Sequence, residues 1–491
     1  MGKSNDINIK TLIGAIWRFL ERIAAQGVGF VVSIIIARII SPDAYGLIAI
    51  VQVFITIFNI FVDSGLGNAI VQKKEPDDVD YSSVFYFNIL MSIVLYVILF
   101  FLSPLISSFY KNDSLTPILR VLGITILISG VKGIQQAYVA KNLQFKKFFY
   151  ATSVGTITAG VVGIVMAYKG FGVWALVTQH IVNTVIDTIV LWFVVEWRPK
   201  LAFSWTQLKG LLSFGWKMLV SRVLETIFVN IRSLIIGKQY SSSDLAYYNR
   251  GEVFPATIVS NINTAIDNVL LPVMSDVQDS KESVRGMTRR AIKTSTYVLS
   301  PLLIGLAACG KSVISILLTD KWLPSYPFMI VFCITYLFMP LHSANLNAIK
   351  AMGKAEIFLR LEIIKKAVAL SAVLITYRIG VMAMAYSLLV VSVLNQLINT
   401  WPNKKLLDYS YFEQIKDILP GIGLAGIMGV CVYCVNFLHL NNWITLIIQV
   451  PLGAVIYIGL SALFKLEAFT YCLNMVKPFI NKVFKKKTVE D

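Results

Sequence analysis

The chain has 491 residues, 56% of them hydrophobic and only 14% charged, and its mean hydropathy is +0.71. Soluble domains run at about 45–50% apolar and about 25% charged residues, so this composition excludes a soluble globular protein and predicts an integral membrane one. The formal net charge of +17 would point a soluble protein toward nucleic acid; in a membrane protein the positions of the charges decide their meaning.

A helix that crosses the hydrocarbon core needs roughly 20 mostly apolar residues. The N-terminal MGKSNDINIK is polar, and the run behind it carries Arg18, Glu21 and Arg22. A secretory signal would have an uninterrupted apolar stretch and a small-residue cleavage site, so this run, near 13–38, reads as a retained first span. Further runs lie near 46–71, 83–108, 117–139, 148–168 and 173–195, then near 213–236, 252–274, 291–318, 326–349, 357–377 and 379–400, with two more at 417–437 and 443–464. About 14 spans result. Alternate connecting segments hold most of the cations, among them Lys73, Lys74, Lys141, Lys146, Lys147, Arg198, Lys200, Arg285, Arg289, Arg290, Lys404 and the tail Lys485, Lys486 and Lys487. The segments between them hold few, such as Lys111, Lys169, Lys321 and Arg378. Cytoplasmic loops retain the positive charge, which predicts cytoplasmic N- and C-termini. The net charge is then mainly an orientation signal, and no nucleic-acid partner is needed to explain it.

Residues 305–312, GLAACGKS, match the phosphate-binding pattern G-x-x-x-x-G-K-S. That pattern works where a strand turns into a soluble helix and free backbone N–H groups cradle phosphates. Here it lies inside TYVLSPLLIGLAACGKSVISILLTDKW, a membrane run whose backbone groups are bonded within the helix. No nucleotide site and no cofactor is expected. Cys431 and Cys434 form a C-x-x-C without a second pair, and His180, His342 and His439 are scattered, so no metal site is expected either.

Spans one and seven resemble each other. Trp17-Arg18 can be laid on Trp216-Lys217, Gln26 falls opposite Glu225, and Asp43-Ala44-Tyr45 recurs as Leu245-Ala246-Tyr247; FVDSGLGNAIVQ likewise aligns with NTAIDNVLLPVM. Two halves of the same topology are the mark of a parallel-repeat transporter. The expected fold is all-α and integral to the membrane: about 14 transmembrane helices in two pseudo-symmetric six-helix lobes (1–205 and 206–402), then helices 13 and 14 with a basic cytoplasmic tail (403–491). Ionisable groups at membrane depth face a cavity or one another. Span one contributes Arg18, Glu21, Arg22 and Gln26, span two Asn59, Asp63 and Asn68, span seven Arg222, Glu225, Asn230 and Arg232, and span eight Asn261, Asn263, Asp267 and Asn268. Together they predict a cationic, polar central cavity suited to an anionic, hydroxyl-rich ligand, with guanidinium groups for phosphate and amides for sugar hydroxyls. Lys132, Gln135, Gln136, His342, Asn345 and Asn347 either line the entrance or serve helix ends.

ARIISPDAYGLIAI followed by FVDSGLGNAIVQKK (residues 37–74), VSRVLETIF with LIIGK, PVMSDVQDS, and GLAACGKSVISILLTDKWLPSYPF together resemble the Wzx-type polysaccharide biosynthesis and export proteins. These are lipid-linked oligosaccharide flippases of the multidrug/oligosaccharidyl-lipid/polysaccharide flippase superfamily. The resemblance covers nearly the whole chain. It implies a multi-pass protein of the bacterial plasma (inner) membrane that moves undecaprenyl-diphosphate-linked oligosaccharide units from the cytoplasmic to the periplasmic face by alternating access. It also implies a coupling ion, H+ or Na+, and a polysaccharide polymerase and chain-length regulator as partners. In the family's pattern an acidic residue stands just before the LIIG of span seven; here Arg232 and Ser233 do. The candidate coupling acids are therefore Glu21, Asp63, Glu225 and Asp267, and the candidate cargo contacts Arg18, Arg22, Gln26, Asn59, Asn68, Arg222, Asn230, Arg232, Asn261 and Asn268.

The alternative within the superfamily is a multidrug extruder, whose cavity for organic cations would be acidic or aromatic; the basic excess in spans one and seven speaks against it. A membrane glycosyltransferase or polymerase would need a large outward loop or a constellation of catalytic acids. The outward loops are short, and the expectation is a transporter and not an enzyme.

Overall fold

The computed structural model describes Trp17, residues 26–63 and 65–474, and Lys477, apart from the side chains of Ala265, Asn268 and Val269. Regular structure among these residues is helical throughout. This is what hydrocarbon demands, because a helix satisfies its backbone N–H and C=O groups internally. The helices are α1 (Gln26–Ile39), α2 (Pro42–Asp63), α3 (Leu66–Gln72), α4 (Asp78–Tyr110), α5 (Leu115–Lys141), α6 (Phe145–Tyr168), α7 (Val173–Val194) and α8 (Trp205–Gln239). They continue with α9 (Ser242–Asp276), α10 (Lys281–Leu318), α11 (Tyr326–Tyr336), α12 (Met339–Ala351), α13 (Ala355–Thr376), α14 (Val381–Leu407), α15 (Tyr411–Cys434) and α16 (Asn442–Leu463).

Among the described residues, ten helical stretches are long and apolar enough to cross a membrane. The chain is a multi-pass membrane protein. Three other runs expected to span are helical too, as α8, α9 and α13, but by length and composition they fall short of that measure, and the first run, described continuously from Gln26, forms α1 there. Two expected spans are broken: 46–71 into α2 and α3, and 326–349 into α11 and α12.

The chain forms two compact units, one ending at Ala246 and the other beginning at Tyr247. In the first, α4 packs along α5 and α6 along α7. The extended stretch between α7 and α8 is fastened to the start of α4: Lys200 N donates to Ser82 Oγ at 3.0 Å and Ser204 N to Ser83 Oγ at 2.9 Å. Trp197 Nε1 donates to Asp78 Oδ1 at 3.1 Å, and Lys200 pairs with Asp78 at 2.6 Å. The start of α4 itself is a capping box, with Asp80 N donating to Asp77 Oδ1 at 2.7 Å and Asp77 N to Asp80 Oδ2 at 3.0 Å.

In the second unit α10 packs along α15 and α16. Arg289 forks onto Asp417 with two bonds of 2.7 Å, and Lys293 bridges Asp417 (3.3 Å) and Glu467 (2.6 Å). Between α14 and α15, Lys281 hydrogen-bonds Asp408 and holds its carboxyl below the ordinary aspartate range. A buried amide cluster joins α12, α14 and α15: Asn345 Nδ2 donates to Gln414 Oε1 (2.8 Å), Gln414 Nε2 donates back to Asn345 Oδ1 (3.0 Å), and Asn403 Nδ2 donates to the same oxygen (2.7 Å).

The GLAACGKS stretch lies inside α10. Gly310 is small there because of packing, since a Cβ on it would come within 2.0 Å of Met329 Cε and 2.8 Å of the Tyr326 ring. The break after α2 depends on a glycine in another way. Gly65 has φ +68°, and a Cβ there would meet Gly215 O of α8 at 2.5 Å. Gly65→Ala combines a left-handed backbone with a backbone clash, a strain of roughly 1–3 kcal/mol before any rearrangement. It should lower the melting temperature of the detergent-solubilised protein by several degrees, whereas melting at the wild-type temperature would contradict the close approach of α3 to α8.

Candidate functional site

The first unit carries a half-open cavity of about 690 Å³. Helical periodicity aims its lining. On α2, Thr56, Asn59 and Asp63 are spaced i, i+3 and i+7 and share one face. After the break at Gly65 the chain resumes with Gly67, Asn68 and Val71 on α3. On α5, Ser129, Lys132, Gln136 and Ala140 form another single-face row. Asn88 of α4, Phe145, Phe148 and Thr152 of α6, Asp187 of α7 and Arg222 of α8 complete the wall.

Two ion pairs cross this cavity's lining. Arg222 Nη1 donates to Asp63 Oδ2 at 2.7 Å, tying α8 to the end of α2, with side chains 43% and 36% exposed. The Gly67 backbone N–H also donates to the Asp63 carboxylate. Lys132 Nζ donates to Asp187 Oδ2 at 2.8 Å, tying α5 to α7, and this pair is only 18% and 17% exposed. Among the described residues, the cavity's ionisable lining is two cations, each held by one carboxylate. Around them stand the carboxamides of Asn59, Asn68, Asn88 and Gln136 and the hydroxyls of Thr56, Ser129 and Thr152. Chemically, the described lining is polar and pairs each of its cations with one carboxylate.

Of the residues expected to form the site, Asn59, Asp63, Asn68 and Arg222 come together here. Arg18, Glu21 and Arg22 lie outside the described residues, as does the side chain of Asn268. Gln26 is exposed at the start of α1 and does not line the cavity. Further along α8, Glu225 is exposed and Asn230 donates to Thr226 O of its own helix at 2.8 Å; neither these nor Arg232 reach the cavity wall. On α9, Asn261 is exposed and donates to Thr257 O at 2.9 Å, and Asp267 accepts from Asn347 Nδ2 of α12 at 2.7 Å, in the second unit. Lys132 and Gln136 belong to the wall, whereas Gln135 is buried and donates to Trp197 O at 3.2 Å. Sequence reasoning passed over Asp187 and Asn88. Asp187 was within reach of the rule applied elsewhere, being an acid inside the apolar run 173–195.

The fold has a counterpart among solved membrane proteins. The solved structure of the lipid II flippase MurJ in an inward closed conformation matches with a TM-score of 0.74 over 92% of this chain and 98% of that one; at 15% identity the likeness is one of fold. The chain belongs to the polysaccharide biosynthesis protein family, whose model matches residues 35–327. It is 23% identical over 412 residues to the lipopolysaccharide biosynthesis protein WzxC of Escherichia coli (strain K12), covering 84% of this chain and 82% of that protein. It is 24% identical over 421 residues to the teichuronic acid biosynthesis protein TuaB of Bacillus subtilis (strain 168), covering 82% and 86%.

If Asp63 and Arg222 hold each other, removing both should cost less stability than the two single losses added together. A double-mutant cycle of Asp63→Ala and Arg222→Ala, read by thermal unfolding in detergent, should give a coupling of roughly 0.5–1 kcal/mol, modest because both ends are more than a third exposed. Strict additivity would contradict the pairing.

Proposed function

We propose that this protein is a flippase that carries undecaprenyl-diphosphate-linked oligosaccharide units from the cytoplasmic to the outer face of the bacterial plasma membrane. The observation that carries this reading is the cavity of the first unit: an Arg222 guanidinium within reach of ligand, a second cation at Lys132, and a wall of amides and hydroxyls. A diphosphate would engage the guanidinium, whose planar donors suit phosphate oxygens. The sugars would meet the amides and hydroxyls, and the polyprenyl chain would stay in lipid. The family assignment and the names of the relatives, lipopolysaccharide and teichuronic acid biosynthesis proteins, support the same class of cargo.

In this reading the helices form 14 spans, arranged as six-helix lobes at 1–205 and 206–402 with 403–491 appended, and both termini are cytoplasmic. The cavity residues of α2, α3, α5 and α6 then flank the loops carrying Lys73, Lys74 and Lys141, in the half of the membrane where cargo is made. Alternating access would expose the site to each face in turn, driven by a proton or sodium gradient. Asp63 is the candidate coupling acid in the cavity; Glu21, Glu225 and Asp267 are candidates elsewhere. Arg18 and Arg22 of span one would add to the diphosphate contact, and a polymerase with its chain-length regulator would take the product.

The test is complementation in a host lacking its own exporter. Arg222→Ala should cut surface glycan at least about tenfold while lipid-linked units accumulate, the size of effect expected when a hydrogen bond to a charged group is lost, and Arg22→Ala with Arg222→Ala should abolish export at normal protein levels. Wild-type surface glycan from the double variant would overturn the assignment.

A further inference from the structure

We infer that Asp63 and Asp187 are built-in competitors of the cargo's anionic head group: each holds one of the cavity's two cations while the carrier is empty and yields it when a diphosphate binds. The inference rests on the flippase reading and adds to it a role for the Lys132–Asp187 pair.

Both cations of the lining are already engaged, Arg222 at 2.7 Å from Asp63 and Lys132 at 2.8 Å from Asp187. No further ionisable group stands among the described residues that line the cavity. A membrane cavity with two bare cations would be costly, since an unpaired charge at membrane depth costs several kcal/mol. A carrier must nevertheless pass through a cargo-free state to work again. Among the described residues each cation of the lining has one carboxylate, so the two pairs carry no net charge while the carrier is empty. A polyprenyl diphosphate carrying a sugar has one negative charge on each phosphoryl group, which matches the two carboxylates in number. Cargo thus replaces the carboxylates partner for partner.

The two pairs differ in how readily they exchange. Arg222 and Asp63 are 43% and 36% exposed, so a ligand can reach the pair and water can take up the released carboxylate. Lys132 and Asp187 are 18% and 17% exposed, so their exchange is harder. The pairs also join helices, α2 to α8 and α5 to α7. Exchange with cargo therefore loosens two links within the first unit, which gives the ligand different contacts to favour in different conformations.

The test uses the full-length purified protein and farnesyl diphosphate as the probe, with affinity and reconstituted transport measured side by side. Removing a competitor should tighten binding, so Asp63→Asn should bind the probe about fivefold more tightly, the value of one partly exposed ion pair. Asp187→Asn should gain about tenfold or more, because Lys132 is left without a partner in a less exposed place. Transport should fall in both, since the empty carrier now retains an uncompensated cation, and Asp63→Glu should reverse the gain in affinity. A merely structural role would weaken binding and transport together. Unchanged or weaker binding in both Asn variants overturns the inference and leaves the flippase reading standing if Arg222→Ala still weakens the probe. Failure of the wild-type protein and of both variants to bind it overturns both. Should Asp187→Asn fail to fold, Asp63→Asn decides the matter alone.

Discussion

Hydrocarbon offers no partner to a charged side chain, so every ionisable group at membrane depth has to find one within the protein. In the first unit that requirement is met by Arg222 with Asp63 and Lys132 with Asp187. The local backbone serves the first of these pairs. The left-handed Gly65 stops α2 at Asp63 and restarts the chain as α3, so the carboxylate stands at a helix end opposite α8, with the Gly67 N–H donating to it. Gly215 of α8 gives the room for that approach.

The second unit holds its polar contacts in a more fixed form. Asn345 and Gln414 bond each other reciprocally and out of contact with water, and Arg289 forks onto an Asp417 side chain that is only 6% exposed. Such groups specify how α10, α12, α14 and α15 pack. The first unit's pairs lie instead on the wall of a cavity of about 690 Å³. That contrast supports the proposal that the cargo site lies in the first unit.

Much of the fold is legible in the sequence because the apolar runs have the length that the bilayer imposes, and the helices fall where those runs lie. The breaks are not legible. Gly65 sits in SGLG, within a run that reads as one span, and only its φ and the facing Gly215 reveal the interruption. The site was half legible. Asn59, Asp63, Asn68 and Arg222 stand out as polar residues in apolar surroundings, but composition cannot tell which such residues meet. Asp267 carries the same signal as Asp63, yet it faces Asn347 in the other unit. Asp187 and Lys132 lie in spans that show no obvious repeat of one another, and their pairing across 55 residues of chain is a fact of packing. GLAACGKS shows the opposite case, a perfect motif whose surroundings deprive it of its chemistry and whose glycine answers to Met329 and Tyr326.

The most direct measurement of the central claim is transbilayer movement of a fluorescent polyprenyl-diphosphate oligosaccharide in proteoliposomes containing the purified protein alone. The account predicts movement well above that of protein-free vesicles, and a rate at least about tenfold lower for a folded Arg222→Ala variant. Movement no faster than in empty vesicles, or an Arg222→Ala variant as fast as the wild type, would contradict it.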